Sequence, residues 1–171
     1  SLDRESFSSV AEALFASDRV YTFGMGVSAL LAELAAYTLL QVGVRASCLS
    51  TVFSSPREQL VGIRPGDLVM VFSLPPYSKQ SLAILEDAHG LGISTVAVSD
   101  RMTSPASTLA ERTLSVKSDN MMFTNAVAAV TVLINALATE IATSHREVAL
   151  AALSQINRVL SEDEDLLPAR R

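Results

Sequence analysis

The sequence predicts a doubly wound α/β fold, in which helices cover both faces of a parallel sheet. Strand-like and helix-like segments alternate four or five times along the chain, which is the pattern of this class. Residues 68–72 form a continuous apolar run, as expected of a strand covered on both faces. A length of 171 residues corresponds to a single domain, and we place its core at about residues 5–155.

The elements follow from local patterns in chain order. Residues 3–16 repeat apolar side chains with a helical period, and residues 19–23 are β-branched or aromatic, which favours a strand. Gly43 stands where a helix over residues 28–42 needs its C-terminal glycine. Pro56 suits the first turn of a short helix.

The remaining elements are assigned in the same way. We expect strands at 44–50, 68–72, 94–98 and 112–116, helices at 78–91 and 107–110, and one or two helices between 122 and 160. The helix at 78–91 has its apolar stripe at Leu82, Leu85 and Ala88. The acidic end, about residues 161–171, is expected to be a solvated tail.

Composition excludes several classes of protein. The net charge of −5 argues against nucleic-acid binding by this segment. Cys48 is the only cysteine, which excludes an internal disulfide, and two histidines with one cysteine disfavour a structural zinc site. No secretory signal stands at the N-terminus.

The chain is unusually apolar, at 49% hydrophobic and 18% charged residues. Such a chain either enters a membrane or buries extra surface against a copy of itself. Residues 121–139 carry no charge, but threonines and asparagines interrupt them and no aromatic belt flanks them. We therefore expect a helix buried in the core or in a dimer interface rather than a membrane span.

A glycine-rich turn follows the first predicted strand. Gly24, Met25 and Gly26 allow a tight turn, and the amides at the start of the next helix attract an anion. The dinucleotide fingerprint needs a third glycine, where this chain has Ala29, and an acidic residue about twenty positions on, which is missing. We therefore expect no dinucleotide and no other cofactor. Ser28 either caps the helix or holds a phosphate.

A second polar loop, residues 73–79, follows the apolar strand. Ser73 ends that strand, and Ser78 stands where the N-cap of the next helix is expected. Two hydroxyls, a helix N-terminus and Lys79 form a plausible phosphate cradle without a Walker motif. The alternative is a proline-rigidified turn followed by a capped helix.

A third loop begins at Ser99 and Asp100, after the fourth strand. Asp100 either holds a sugar hydroxyl or caps the next turn, and capping is the preferred interpretation. Ser104, before a proline, starts the short helix behind it.

The other reactive residue types are better explained by structure. Glu33 is the sole charge on its helix and is more typical of an ion pair than of a base. His89 suits a helix C-terminus, and His145 lies in a charged patch. Cys48 is expected to be an inert buried thiol.

Together these motifs resemble the sugar isomerase (SIS) domain. The resemblance is carried by residues 24–28, 71–73 with 77–79, and 96–100 with 104–105. More narrowly, with residues 123–127 opening a long Ala/Leu helix, the chain is similar to the C-terminal effector domain of RpiR/MurR-type bacterial transcriptional regulators.

The resemblance implies a five-stranded parallel α-β-α sandwich that binds phosphosugars and forms a homodimer or larger homo-oligomer in the cytoplasm. It places the phosphate on Ser28, Ser73 and Ser78. The commonest second loop of the family is Ser-x-Ser-Gly-x-Thr, and here Pro75 and Pro76 occupy the second serine and the glycine. One phosphate donor is therefore missing, and Tyr77 either compensates for it or covers the sugar.

The sequence favours a sensor over an enzyme. Isomerases of this family supply a Glu and a His near the cleft, and residues 118–123 contain neither. Val27 stands where some of them have a lysine, so Glu58 and Glu33 remain as the conceivable bases. A sensor would act on DNA through an upstream helix-turn-helix domain, for which residues 1–18 are too short. The set of residues expected to contact the sugar phosphate is Gly24, Met25, Gly26, Ser28, Ser73, Tyr77, Ser78, Lys79, Ser99 and Asp100.

Overall fold

A five-stranded sheet organises the chain in the computed structural model, which describes residues 3–117 and 123–163, without the side chains of 123–125. The strands are β1 (Val20–Gly24), β2 (Ala46–Cys48), β3 (Leu68–Ser73), β4 (Ser94–Ser99) and β5 (Arg112–Ser115). Their order is β2-β1-β3-β4-β5, and all pairs are parallel. The predicted α/β sandwich is therefore confirmed.

Helices cover both faces of this sheet. They are α1 (Arg4–Ala16), α2 (Val27–Gln41), α3 (Pro56–Gln59, followed by a 3₁₀ turn), α4 (Lys79–Gly90), α5 (Pro105–Leu109), α6 (Phe123–Ser144) and α7 (Arg146–Ser161). The segment predicted as one or two helices forms two, α6 and α7.

The central strand β3 explains why there are two cores. All six of its residues are buried. Because alternate side chains of a strand point to opposite faces, Met70 and Phe72 join a core with α1, α2 and α6. Val69 and Val71 join a second core, in which α4 supplies Ile84 and Leu85.

Three predicted details are corrected. Helix α2 begins at Val27, one residue before the predicted start. The short helix spans Pro105–Leu109 rather than residues 107–110, and its start at Ser104, the N-cap, is as expected. The buried stripe of α4 consists of Ser81, Ile84, Leu85 and Ala88, so the predicted Leu82 lies at its margin.

Gly43 occupies its expected position. It follows the C-terminal cap of α2 with φ +92°, in the left-handed region where glycine is favoured. A Cβ there would lie 2.8 Å from the Val148 side chain of α7.

Helix α6 is long and apolar enough to cross a membrane by length and composition. In this fold it packs against α1, α2 and α7 and buries Val130, Leu133 and Ile141, among others. A third of its apolar window is buried, so much of its surface remains uncovered.

Helix α2 approaches β1 unusually closely. The hydroxyl of Thr22, fully buried in β1, donates to the carbonyl of Ala32 at 2.7 Å. At Gly24, the last residue of β1, a Cβ would lie 2.3 Å from the carbonyl oxygen of Ser28. This oxygen belongs to the main chain and cannot move without displacing the helix.

Replacing Gly24 by alanine is expected to lower the free energy of unfolding by about 1–3 kcal/mol, because α2 must shift to admit the methyl group. Gly90→Ala is the matched control, since a Cβ at Gly90 meets nothing within 4 Å and alanine is the better helix residue. Urea denaturation of both variants measures the difference. Equal stability of the two would contradict the tight packing of α2 on β1.

Candidate functional site

The carboxyl ends of β1 and β3 form the topological switch point of the sheet. These strands are neighbours, but the helices that follow them, α2 and α4, pack in different cores on opposite faces. The two loops therefore diverge and leave a crevice, which is where ligands bind in open α/β sheets. All ten predicted site residues lie at this edge: three are the last residues of β1, β3 and β4, and the others follow in the loops or the first helical turns.

The first loop brings α2 onto the end of β1. Gly26 is the N-cap of α2 and has φ 60° and ψ −129°, a conformation that is essentially restricted to glycine. Gly24 allows the close approach described above. Met25 between them is 37% exposed.

Helix α2 begins without a side-chain cap. No side chain of its N-cap residue accepts from its first amides, and Ser28 is already its second residue and is buried. The interpretation of Ser28 as the cap is therefore wrong. The amides of Ser28 and Ala29 instead donate at 3.1 Å to the carbonyls of Met25 and Gly26, and the positive end of the helix dipole remains suited to an anionic group.

Helix α4 is capped in the conventional way. The hydroxyl oxygen of Ser78 accepts from the amides of Gln80 at 3.2 Å and Ser81 at 3.4 Å. The N-cap expected at Ser78 is therefore confirmed. The proton of the Ser78 hydroxyl is not used in these bonds and can still be donated to a ligand. Lys79, the first residue of α4, is exposed.

The hydroxyl of Ser73 is buried and has no hydrogen-bond partner among the described residues. Because residues two apart in a strand share a face, Ser73 lies on the side of Val71, facing the layer of α4. Ser81 in the first turn of α4 also has a buried hydroxyl without a described partner. Two unsatisfied hydroxyls therefore lie in the layer between α4 and the sheet.

A hydrogen-bond network joins the second loop to the third. The Tyr77 hydroxyl donates to Oδ1 of Asp100 at 2.7 Å. The Ser99 hydroxyl donates to the Ser73 carbonyl at 2.7 Å and lies 3.2 Å from the same Oδ1. Burial, and then the bond to Asp100, raise the pKa of Tyr77, so its phenol stays protonated at neutral pH.

Two predicted roles in the third loop are settled by these contacts. Within the described residues no amide of the next turn donates to Asp100, whose Oδ1 instead accepts from Tyr77, and the cap of α5 is Ser104, which accepts from the Ser107 amide. Asp100 instead bridges two loops. The Ser99 hydroxyl is fully buried and already donates inward, so of the ten predicted residues it has least to offer a ligand.

Sequence reasoning missed Arg101 and Ser81. The Arg101 guanidinium lies 5.9 Å from the centre of the Tyr77 ring, and its Nε is 3.8 Å from Oδ2 of Asp100. Nothing in the sequence links residue 101 to residue 77. Ser81 could have been found, because it is a polar residue three positions after the N-cap, on the buried side of its helix.

The two conceivable bases are otherwise occupied or remote. The Glu58 carboxylate accepts from the Ser55 amide at 3.0 Å in the capping box of α3. Glu33 lies in the middle of α2 and influences Cys48 of β2. In residues 3–117 and 123–163, no cluster of three or more His, Cys, Asp or Glu side chains is placed to bind a metal ion.

His145 serves the packing of helices. Its ring stacks on Phe15 with centroids 3.5 Å apart, and its Nε2 lies 3.0 Å from Glu12. This site lies between α1 and the start of α7, at a distance in the fold from the crevice. His89 stands in the last turn of α4, as predicted.

Comparison with known proteins gives a consistent result. The family model described as "SIS domain" matches residues 13–140. A search of curated proteins finds no match. Among solved structures, the sugar isomerase domain of an RpiR transcription factor from Sphaerobacter thermophilus is similar at 29% identity with a TM-score of 0.85, over 92% of this chain and 88% of that one.

Two further structures share the fold at lower identity. The NanR protein of Vibrio vulnificus, solved with ManNAc-6P, has a TM-score of 0.82 at 19% identity, over 93% of this chain and 61% of its own. A phosphoheptose isomerase from Francisella tularensis has a TM-score of 0.71 at 19% identity, over 82% of this chain and 86% of its own.

We expect Cys48 to be unreactive at neutral pH. Burial is the main cause that raises its pKa to about 11, and the charge of Glu33 contributes. Since the thiolate is the nucleophile, alkylation by iodoacetamide at pH 8 should be more than about tenfold slower than in the urea-unfolded protein. The rate should keep rising up to pH 10, and a plateau near pH 9 would contradict the raised pKa.

Proposed function

Because the chain belongs to the SIS domain family, we propose that it is a phosphosugar-binding sensor domain of a transcriptional regulator. Its ligand is a sugar phosphate, held in the crevice at the carboxyl ends of β1, β3 and β4. Binding there shifts the conformational equilibrium of an oligomer, and a DNA-binding domain outside this segment responds. Such a regulator acts in the cytoplasm.

The observation that carries this proposal is the buried Ser73 hydroxyl. A buried hydroxyl without a partner costs roughly 1–3 kcal/mol, and sites that bind nothing rarely keep one. A phosphate oxygen is a strong acceptor that would satisfy it. Ser78 is five residues along the same loop and has a free proton to donate to the same group.

Charge at this edge also supports an anionic ligand. The N-termini of α2 and α4 both face it, and each carries a partial positive charge. Lys79 adds a full charge on an exposed, flexible side chain. The proposed ligand contacts are Gly24, Met25, Gly26, Ser28, Ser73, Tyr77, Ser78, Lys79, Ser99 and Asp100.

The regulator assignment is supported by the similarity to the RpiR transcription factor domain at 29% identity. The NanR structure, which contains a sugar phosphate, shares the fold, and this segment spans 61% of its chain. A regulator built in this way would carry its DNA-binding part in the remainder.

Pro75 and Pro76 distinguish this loop from the commonest one of the family. They supply no hydroxyl, and a proline has no amide proton to donate. The phosphate would therefore be held by fewer loop donors, with α2 and Lys79 contributing a larger share of the affinity. We expect the affinity to fall with ionic strength accordingly.

An aldose–ketose isomerase is the alternative, since solved isomerases share this fold. It needs a base close to the sugar carbons. Glu58 holds the start of α3 by its capping bond, and Glu33 is two turns into α2. Neither arrangement favours proton transfer in the crevice.

Ser73→Ala is expected to weaken the binding of a sugar phosphate by about tenfold or more, because it removes a hydrogen bond to a charged group. A panel of hexose and pentose phosphates, with the free sugars as controls, identifies the ligand by thermal shift, and calorimetry then measures the affinity. Ser94→Ala is the matched control, since it removes a serine from the opposite end of β4.

Two outcomes would contradict the proposed function. Unchanged affinity in Ser73→Ala would exclude the site at this edge. Turnover of the bound sugar phosphate into its isomer, abolished by Glu33→Gln or Glu58→Gln, would make the protein an enzyme.

We also propose that the protein forms a homodimer or larger homo-oligomer through α2 and α6. On α2, Leu30 is 71% and Tyr37 is 63% exposed, and on α6 Val132 is 68% exposed. An apolar groove of about 670 Å³ between the end of α2 and α7 extends this surface. Exposed apolar side chains that lie together in this way are typical of an interaction surface.

Sedimentation should give at least twice the monomer mass of 18.2 kDa. The double variant Leu30→Glu/Tyr37→Glu is expected to sediment as a monomer, because it places two charges in the interface. Leu91→Glu, at an exposed position at the end of α4, should leave the oligomer intact. A wild-type monomer would disprove the proposed interface.

A further inference from the structure

The geometry points to Asp100 as the residue that selects the sugar part of the ligand: one of its carboxylate oxygens accepts a ligand hydroxyl and rejects a second acidic group. This inference rests on the proposed phosphosugar site and names the class of ligand that the site takes. That class is the phosphates of neutral or amino sugars, as opposed to phosphorylated sugar acids.

The carboxylate of Asp100 is held in one orientation. Its Oδ1 accepts from Tyr77 at 2.7 Å, and the Ser99 hydroxyl lies 3.2 Å from the same atom. Tyr77, in the loop after β3, is therefore the donor that orients the carboxylate, because the Ser99 hydroxyl at the end of β4 donates its proton to the Ser73 carbonyl. The side chain is 21% exposed, so it is neither sequestered in the core nor free in solvent.

The second oxygen, Oδ2, keeps its capacity to accept. The Nε atom of Arg101 lies 3.8 Å from Oδ2, which is beyond hydrogen-bond distance. Within the described part of the chain no donor bonds to Oδ2. A carboxylate with one oxygen oriented by the protein and the other unoccupied is well suited to accept from a sugar hydroxyl or an ammonium group.

The position of Asp100 relative to the phosphate subsite assigns its partner on the ligand. Ser73 pairs with Ser99 in the register of β3 and β4, and neighbouring strands are about 4.8 Å apart. Asp100 therefore stands one strand away from the Ser73 hydroxyl. A ligand whose phosphate is bound by Ser73 and Ser78 would therefore bring its sugar part, rather than the phosphate itself, to Asp100.

Charge decides which ligands are tolerated there. Arg101 lies near both the Tyr77 ring and the Asp100 carboxylate. Its positive charge reduces the repulsion between the Asp100 carboxylate and the phosphate of the ligand. Its guanidinium is largely exposed and is therefore well screened. A carboxylate on the sugar would therefore be repelled by the charge on Oδ2, which the screened guanidinium of Arg101, 3.8 Å away, offsets only in part.

The test compares two ligands that differ in a single group, glucitol 6-phosphate and 6-phosphogluconate, with inorganic phosphate as the third probe. By calorimetry, the wild-type protein is expected to bind glucitol 6-phosphate at least about tenfold more tightly than 6-phosphogluconate. Asp100→Asn keeps an acceptor for Tyr77 but removes the charge, and it should bring the two affinities within about threefold.

Inorganic phosphate separates this effect from damage to the phosphate subsite. Its affinity should be unchanged or higher in Asp100→Asn, whereas Ser73→Ala should weaken all three probes. Glu86→Gln is the matched control, because it removes the same charge from an exposed position on α4. A thermal-unfolding scan of each variant confirms that it is folded.

The outcomes distinguish the two proposals. Three results would overturn the role of Asp100 alone. The wild-type protein could prefer 6-phosphogluconate, or it could bind neither sugar derivative more tightly than inorganic phosphate. The third result is an unchanged preference for glucitol 6-phosphate in the Asp100→Asn variant. The proposed function survives in each of these cases, provided that Ser73→Ala weakens binding. Failure of the wild-type protein to bind any of the three probes overturns both proposals.

Discussion

The complete burial of β3 is the constraint on which the rest of the molecule depends. This strand is paired on both edges and covered on both faces, so each of its residues before the last must be apolar. Ser73 is the first polar residue, and it stands where the strand leaves the sheet. Chemistry is thereby confined to the carboxyl edge, where the loops after β1, β3 and β4 meet.

The two helices that face this edge begin in different ways, and the difference has physical consequences. Helix α4 satisfies its first amides with Ser78. Helix α2 has Gly26 as its N-cap, in a conformation that favours glycine, and Gly24 allows its main chain to approach β1 closely. The amides of Ser28 and Ala29 donate to the carbonyls of Met25 and Gly26, so α2 offers a ligand chiefly the positive end of its dipole, while the start of α4 also contributes hydroxyl protons.

Hydrogen bonds between loops give this edge its shape. Ser99 donates to the main chain of Ser73, and Tyr77 donates to Asp100. Each bond joins the end of β3 to the end of β4, so the loops after these strands are positioned together.

The apolar surface of α2 and α6 lies elsewhere on the molecule. It accounts for much of the high apolar content of the sequence, because these helices contribute to one core and also expose apolar side chains, the surface that we propose for a homo-oligomer.

The sequence by itself determined the alternation of strands and helices, the central position of the apolar strand and the edge where the polar loops gather. These follow from local periodicity and from the geometry of parallel sheets. It did not determine the role of Ser28, because that role depends on where α2 begins, and the helix begins one residue earlier than predicted. It did not determine the role of Asp100 either, because its partner Tyr77 is 23 residues away in the chain. Only the tertiary structure brought Arg101 to that pair and left the hydroxyls of Ser73 and Ser81 without a partner in the part of the chain that the structure describes, because such contacts depend on which loops and layers meet in space.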